Sequence, residues 1–145
     1  MTIEENKALI RRLFKGWETP QDLSFVDELF AADYVAHVDD PHRTPDRAGL
    51  KDTTVRELPV FPDLRHTIED LIADGDKVVV RLTFRGTHQA EWLTPSMGRI
   101  APTGKNATWG AIIIYRIANG RIVEAWGQED RLGQLQQLGV IPNSS

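Results

Sequence analysis

The chain has no cysteine in its 145 residues. That excludes a disulfide scaffold, a thiol nucleophile and a cysteine metal site. It also lacks any excess of positive charge. With 17 Lys and Arg against 21 Asp and Glu, the net charge is −4, the reverse of the basic footprint of a nucleic-acid binder. No apolar run approaches the ~20 residues that span a bilayer. The start, Met1-Thr-Ile-Glu-Glu-Asn-Lys7, has no apolar signal core. Repeats, low-complexity tracts and linkers are missing as well. A single domain over residues 1–145 is expected, cytoplasmic, with no nucleic-acid or membrane partner.

What remains is ordinary globular material, 41% hydrophobic and 26% charged. Thr2 and Glu5 suit a capping box. Behind them Ile3, Leu9, Ile10, Leu13, Phe14 and Trp17 fall at helical spacing, which predicts a helix over 3–17. A short helix over 23–30 and a strand over 34–38 follow. Asp39 to Thr44 reads as a loop, with Thr44 capping a third helix that has Pro45 at its first position and stops before Pro59. Strands are expected over 64–73 and 77–85 around a turn at Asp74-Gly75, then over 106–117 and 121–130. A long connection over 88–104 separates the two pairs, and a short helix over 131–138 ends the list. Helices first and hairpin-linked strands afterwards make an α+β pattern.

The last two strands join at Asn119-Gly120, a strong hairpin signal. Alternation on the second puts Trp126, Gln128 and Asp130 on one face. A carboxylate behind an aromatic and an amide is a candidate acid/base in a pocket. On the strand over 77–85, Val80, Leu82 and Phe84 face one way and Arg81, Thr83 and Arg85 the other. The strand over 106–117 is bulky and apolar on both faces, with Trp109, Ile113 and Tyr115 opposite Ile112 and Ile114. A sheet with one wet face alternates more cleanly. A second copy of the chain is therefore expected over the face the helices leave free, giving a homodimer.

Several motifs occur in order: Phe61-Pro-Asp-Leu64, Thr67-Ile-Glu-Asp70, Val80-Arg-Leu-Thr-Phe-Arg-Gly-Thr-His88, Pro102-Thr-Gly-Lys105, Trp126-x-x-x-Asp130 and Leu135-Gln-Gln-Leu-Gly139. Together they resemble the SnoaL-like family of polyketide and ester cyclases, within the nuclear-transport-factor-2-like (NTF2-like) superfamily. The resemblance implies an α+β barrel-like cone: a strongly curved antiparallel sheet with three N-terminal helices over its concave face and a short C-terminal helix. Between them it implies a mostly apolar pocket. It also implies ring closure of a hydrophobic carbonyl or ester substrate by intramolecular aldol chemistry, with no metal or cofactor. An aspartate near the end of the last long strand serves as acid/base, and Asp130 best fits that place.

Asp130 has a rival role, because it precedes the terminal helix where Asp is a favoured N-cap. His37 could relay a proton or orient a carboxylate. His37, Asp39, Asp40 and His42 have no recognised metal-ligand spacing, so no metal is expected. Arg81 could pair with Asp130 or bind a substrate oxygen. In limonene-epoxide-hydrolase relatives an Arg-x-Asp pair activates water, but Thr83 stands where the second carboxylate would be. In ketosteroid isomerase a first-helix tyrosine donates to the oxyanion, but Phe14 falls there. Asp130, His37 and Arg81 are thus the catalytic candidates. Trp17, Phe14, Trp109, Trp126, Gln128, Thr83, Trp92 and His66 are the substrate-contacting ones, with Trp109 and Trp126 expected to stack across their hairpin. A non-catalytic binding protein for a small hydrophobic ligand, or a hydrolase or lyase using the same carboxylate, are the alternatives.

Overall fold

A computed structural model describes residues 1–143. Helix α1 (Ile3–Gly16) begins as its sequence predicts. Thr2 Oγ1 accepts from Glu5 N at 3.1 Å, and Glu5 Oε1 accepts from Thr2 N at 3.4 Å. Its apolar face, Leu9, Ile10, Leu13 and Phe14, is buried. Helix α2 (Ser24–Leu29) runs directly into strand β1 (Phe30–His37), which starts four residues earlier than the sequence pattern suggests.

Helix α3 (Arg47–Glu57) starts later than expected, and its cap is not Thr44. Asp46 Oδ1 accepts from Gly49 N at 2.9 Å, and Thr44 Oγ1 donates to the same oxygen at 2.8 Å. The Pro45 carbonyl instead accepts from Ala36 N at 2.8 Å. That bond ties the loop to β1 and keeps Pro45 out of the helix. Gly49 is required here, because a Cβ would lie 1.8 Å from the Thr44 carbonyl oxygen.

Strands β2 (Arg65–Asp74), β3 (Lys77–Thr87), β6 (Asn106–Ala118) and β7 (Arg121–Glu129) form a five-stranded sheet with β1, in the order β1-β7-β6-β3-β2. The sheet is mixed, not purely antiparallel, since β1 runs parallel to β7. It is curved but not closed into a barrel, with β1 and β2 as its edges. The 88–104 connection contains a small hairpin, β4 (Trp92–Thr94) and β5 (Gly98–Ile100), closed by Thr94 Oγ1 donating to the Gly98 carbonyl at 2.8 Å. Helix α4 (Arg131–Gln137) ends the fold.

Asn119 and Gly120 both have positive φ, 52° and 74°, the left-handed turn that the pair favours. Past that turn the β6–β7 ladder holds a bulge. Ile117 pairs with Ile122, but Arg116 pairs with Glu124, so Val123 is an extra residue. Each later residue of β7 is thereby moved to the opposite face from the one an unbroken two-residue hairpin would assign.

Two apolar clusters pack on one side of the sheet. The larger includes Leu13, Phe14, Phe30, Tyr34, Val80, Leu82, Tyr115 and Ile122 beneath α1 and α2. The smaller joins Phe61, Trp92 and Trp109 to Leu135 of α4 and to Leu138 just past its end. Where β7 ends, Gln137 replaces it. Its amide donates to the Thr108 carbonyl at 2.7 Å and accepts from Thr108 N at 2.8 Å. None of the helices among the described residues is long and apolar enough to cross a membrane.

Candidate functional site

The sheet divides the candidate residues between its two faces. On β3, Val80 and Leu82 are buried inward and Arg81 lies on the outer side, as alternation predicts. Its partner is Asp70 on β2, with Arg81 Nε 2.6 Å from Asp70 Oδ2. Of the two roles the sequence leaves open for Arg81, the pairing with Asp130 is not the one formed; its carboxylate partner is Asp70. A bulge between Ile68 and Asp70 brings Asp70 opposite Arg81.

His37 and Trp126 are also on the outer face. Their rings stack at 5.1 Å and 11°. His37 Nε2 lies 2.7 Å from Glu124 Oε2, and Arg116 Nε donates to Glu124 Oε1 at 2.8 Å. Arg116 first and His37 second hold the Glu124 carboxyl below its usual range. The expected Trp109–Trp126 stack does not form, because the bulge leaves the two rings on opposite faces. Trp109 packs instead on Phe84 at 5.8 Å and on Phe61 at 5.3 Å.

Gln128, Glu129 and Asp130 line a shallow depression of about 410 Å³ together with Arg81, Thr83 and Ile112. The Asp130 carboxylate caps α4, with Oδ1 accepting from Gly133 N at 2.9 Å. Its own N–H donates to the Gly110 carbonyl at 2.9 Å. Gly133 suits this cap, since a Cβ would come within 2.3 Å of Asp130 Oδ2.

The helix-covered face holds the other candidates, Phe14, Trp17, His66, Trp92 and Trp109. Phe14 meets His66 edge to face at 5.3 Å, and burial pushes the His66 imidazole below its usual range. Trp17, Leu50, Ile68, Phe84 and Ile113 pack against the core yet stay only partly buried. Small residues, Ala36, Ala111, Ala125 and Gly127, line the β1, β6 and β7 part of this face.

Two carboxylates missed by sequence reasoning stand on this face. Glu129 is in register with buried Ala111. Its Oε1 accepts from Trp109 Nε1 at 3.1 Å, and its Oε2 lies 2.8 Å from Arg131 Nη2. The Arg131 guanidinium sits 5.2 Å from the Trp92 ring centroid. Trp92 Nε1 in turn donates to Glu57 Oε2 at 3.0 Å. Burial pushes the Glu57 carboxyl above its usual range, and the charge of Glu129 adds to the rise, while Arg131 and Trp92 oppose it. The result is a line Glu57–Trp92–Arg131–Glu129–Trp109 of two acids around one cation. Only the bulge distinguishes Glu129 from Asp130, and no local sequence signal marks it. Among the described residues, no group of three His, Cys, Asp or Glu side chains gathers as a metal ion would require.

The family model described as SnoaL-like polyketide cyclase matches residues 7–138. The chain belongs to the SnoaL-like polyketide cyclase family. Among solved structures, this SnoaL-like chain is similar to IdmH of Streptomyces antibioticus, a proposed polyketide cyclase. That match has 33% identity, TM-score 0.78, and covers 93% of this chain and 99% of IdmH. AclR of Streptomyces galilaeus, a proposed hydroxylase, is 28% identical with TM-score 0.82, over 99% of this chain and 91% of AclR. A proposed polyketide cyclase from Bacillus cereus is also 28% identical, with TM-score 0.76, over 94% and 82% of the two chains. A search of curated proteins finds no match. These neighbours agree with the α+β architecture, and the family supports a cyclase-type role.

Proposed function

We propose that the chain is a cofactor-independent cyclase acting on a hydrophobic carbonyl substrate held between the helices and the sheet. The observation that carries this reading is the paired arrangement of Glu57 and Glu129 around Arg131, beside the aromatic rings of Trp92 and Trp109. Environments that differ between two carboxyls suit them to opposite proton transfers. Glu129 removes a proton alpha to one carbonyl. The resulting enolate carbon attacks a second carbonyl of the same molecule and forms the new C–C bond. Glu57, which burial keeps protonated to higher pH, gives its proton to the alkoxide. Arg131 stabilises negative charge between them. Holding both ends of one molecule in attack geometry contributes several kcal/mol, on the order of 7–11 in the best intramolecular cases. Asp130 contributes to this reading as the cap that fixes where α4, and hence Arg131, begins.

The test uses an aryl 1,5-diketone as a surrogate, with cyclised product followed by chromatography. Glu129→Gln and Glu57→Gln should each lower turnover about 100-fold or more, the scale of general acid–base catalysis. Unchanged turnover in Glu129→Gln sinks the assignment. A binding protein without turnover is the second reading. It is favoured by the Glu129 carboxylate already being engaged by Trp109 and Arg131, and stoichiometric surrogate binding with no product would support it.

A second copy of the chain is proposed to cover the outer face of the sheet. Ile72, Ile112 and Val35 are 59%, 50% and 41% exposed there, an apolar surface that pairing with another such sheet would bury.

A further inference from the structure

The chemistry above makes no use of Gln134. This residue lies one turn beyond Arg131 on α4 and is fully buried. Its Oε1 accepts from Arg131 Nη1 at 2.6 Å. Its Nε2 is buried without a hydrogen-bond partner. An amide that leaves a buried donor unmet costs stability. Leu135 and Leu138, also buried, fill this end of the chain with apolar groups. An unbranched apolar side chain at 134 would occupy the same space and leave no N–H orphaned. What glutamine adds there is the carbonyl that meets Arg131.

The Arg131 guanidinium is held on three sides. Nη2 donates to Glu129 Oε2 at 2.8 Å, Nη1 donates to Gln134, and the group lies 5.2 Å from the Trp92 ring centroid. The side chains of Arg131 and Glu129 are 29% and 35% exposed. Their ion pair alone therefore leaves the cation free to pivot toward solvent with its partner. A guanidinium is a rigid planar fork, so an acceptor on its second Nη fixes the orientation that one ion pair leaves open. The buried carbonyl of Gln134 draws the fork toward Trp92, whose Nε1 donates to Glu57 Oε2 at 3.0 Å. The charged groups that act on Glu57 are Arg131 and Arg56, which favour its ionisation, and Glu129, which opposes it.

We propose that Gln134 is a positioning residue: its side-chain carbonyl holds the Arg131 guanidinium over Trp92, so that one cation serves Glu57 and Glu129 together. The inference rests on the reading that these three groups form the reacting centre, and it names what fixes their geometry. Gln134 acts through Arg131, whose charge counts most when negative charge develops on the reacting oxygen. Its loss therefore falls on kcat and not on KM.

The experiment follows the assigned Trp92 indole N–H by heteronuclear NMR from pH 4 to 8. That N–H is bonded to Glu57, so it reports the Glu57 titration without any substrate. In Gln134→Met the midpoint should move to higher pH, because a released Arg131 no longer opposes the effect of burial, and the unfolding temperature should not fall. In an Arg131→Met background the same substitution should move the midpoint no further, since residues that act as a unit are non-additive. An unmoved midpoint in Gln134→Met, or an equal further shift without Arg131, overturns the clamp. Should Gln134→Met fail to fold by circular dichroism, wild type itself is read. A clamped guanidinium shows separate Arg131 Nη1 and Nη2 signals, and a single averaged signal overturns the proposal. With the diketone surrogate, Gln134→Met should lower kcat by about 10-fold or more with KM within about two-fold, the scale of a misplaced group, and an unchanged kcat overturns the positioning role. A moved midpoint in a protein that never turns the surrogate over upholds the clamp and sinks the proposed function alone.

Discussion

Glu129 and Asp130 are consecutive in the chain, yet their carboxylates face different partners across the sheet. Glu129 accepts from the Trp109 indole at 3.1 Å on the helix-covered side, while Asp130 accepts from Gly133 N at 2.9 Å at the start of α4. The acid beside the aromatic lining and the acid at the helix cap are neighbours exchanged by one strand position.

Asp130→Ala should cost about 1 kcal/mol, the usual value of an N-cap, with surrogate turnover reduced far less than in Glu129→Gln. Urea denaturation and the cyclisation assay on both variants check this. A turnover loss in Asp130→Ala as deep as in Glu129→Gln, with stability unchanged, would return the acid/base role to Asp130.

Gly133→Ala should not show the roughly 1 kcal/mol gain that alanine brings to a helix interior. Its Cβ would come within 2.3 Å of the capping carboxylate. In an Asp130→Ala background the gain should reappear, so the two substitutions are non-additive. A denaturation double-mutant cycle measures the coupling.

The Glu57 carboxyl has a folded pKa above its unfolded value, with burial as the main cause. The folded state therefore binds more protons, and stability from this group is lost as pH rises. The loss should begin near the ordinary glutamate value of 4.5 and continue upward through the folded pKa. Glu57→Gln should flatten that stretch of the stability–pH curve and be relatively more stable at neutral pH. Thermal denaturation of both proteins across pH 4 to 8 tests it, and parallel curves would contradict it.

Ile112→Asp should turn a dimer into a monomer while leaving the inner core intact, because Ile112 is half exposed on the outer face. Sedimentation velocity at micromolar concentration reads the change directly. Wild type sedimenting as a monomer of 16.3 kDa would remove the proposed dimer.

Much of the architecture was legible because its signals are local. The Thr2–Glu5 cap, the Asn119-Gly120 turn and the alternation of β3 all appear where the sequence puts them. The third helix was misplaced by two residues, since Asp46 competes better for Gly49 N than Thr44 and Pro45 has its carbonyl committed to β1. The β4–β5 hairpin was missed because each strand has three residues and closes through a side chain, Thr94, rather than a turn pair. Glu57 and Arg131 carry no motif and are brought to Trp92 by the helix ends that hold them.

The chain's own pattern decided that β7 alternates, that Trp126 and Gln128 share a face, and that an acid stands at the strand's end. Which face looks inward was decided only in the assembled sheet. One extra residue, Val123, shifts the β6–β7 register and leaves Ala125, Gly127 and Glu129 on the concave side and Trp126 on the outer one. Periodicity fixes the repeat of a strand but not its phase, and a bulge resets that phase through cross-strand hydrogen bonds that no local stretch of sequence records.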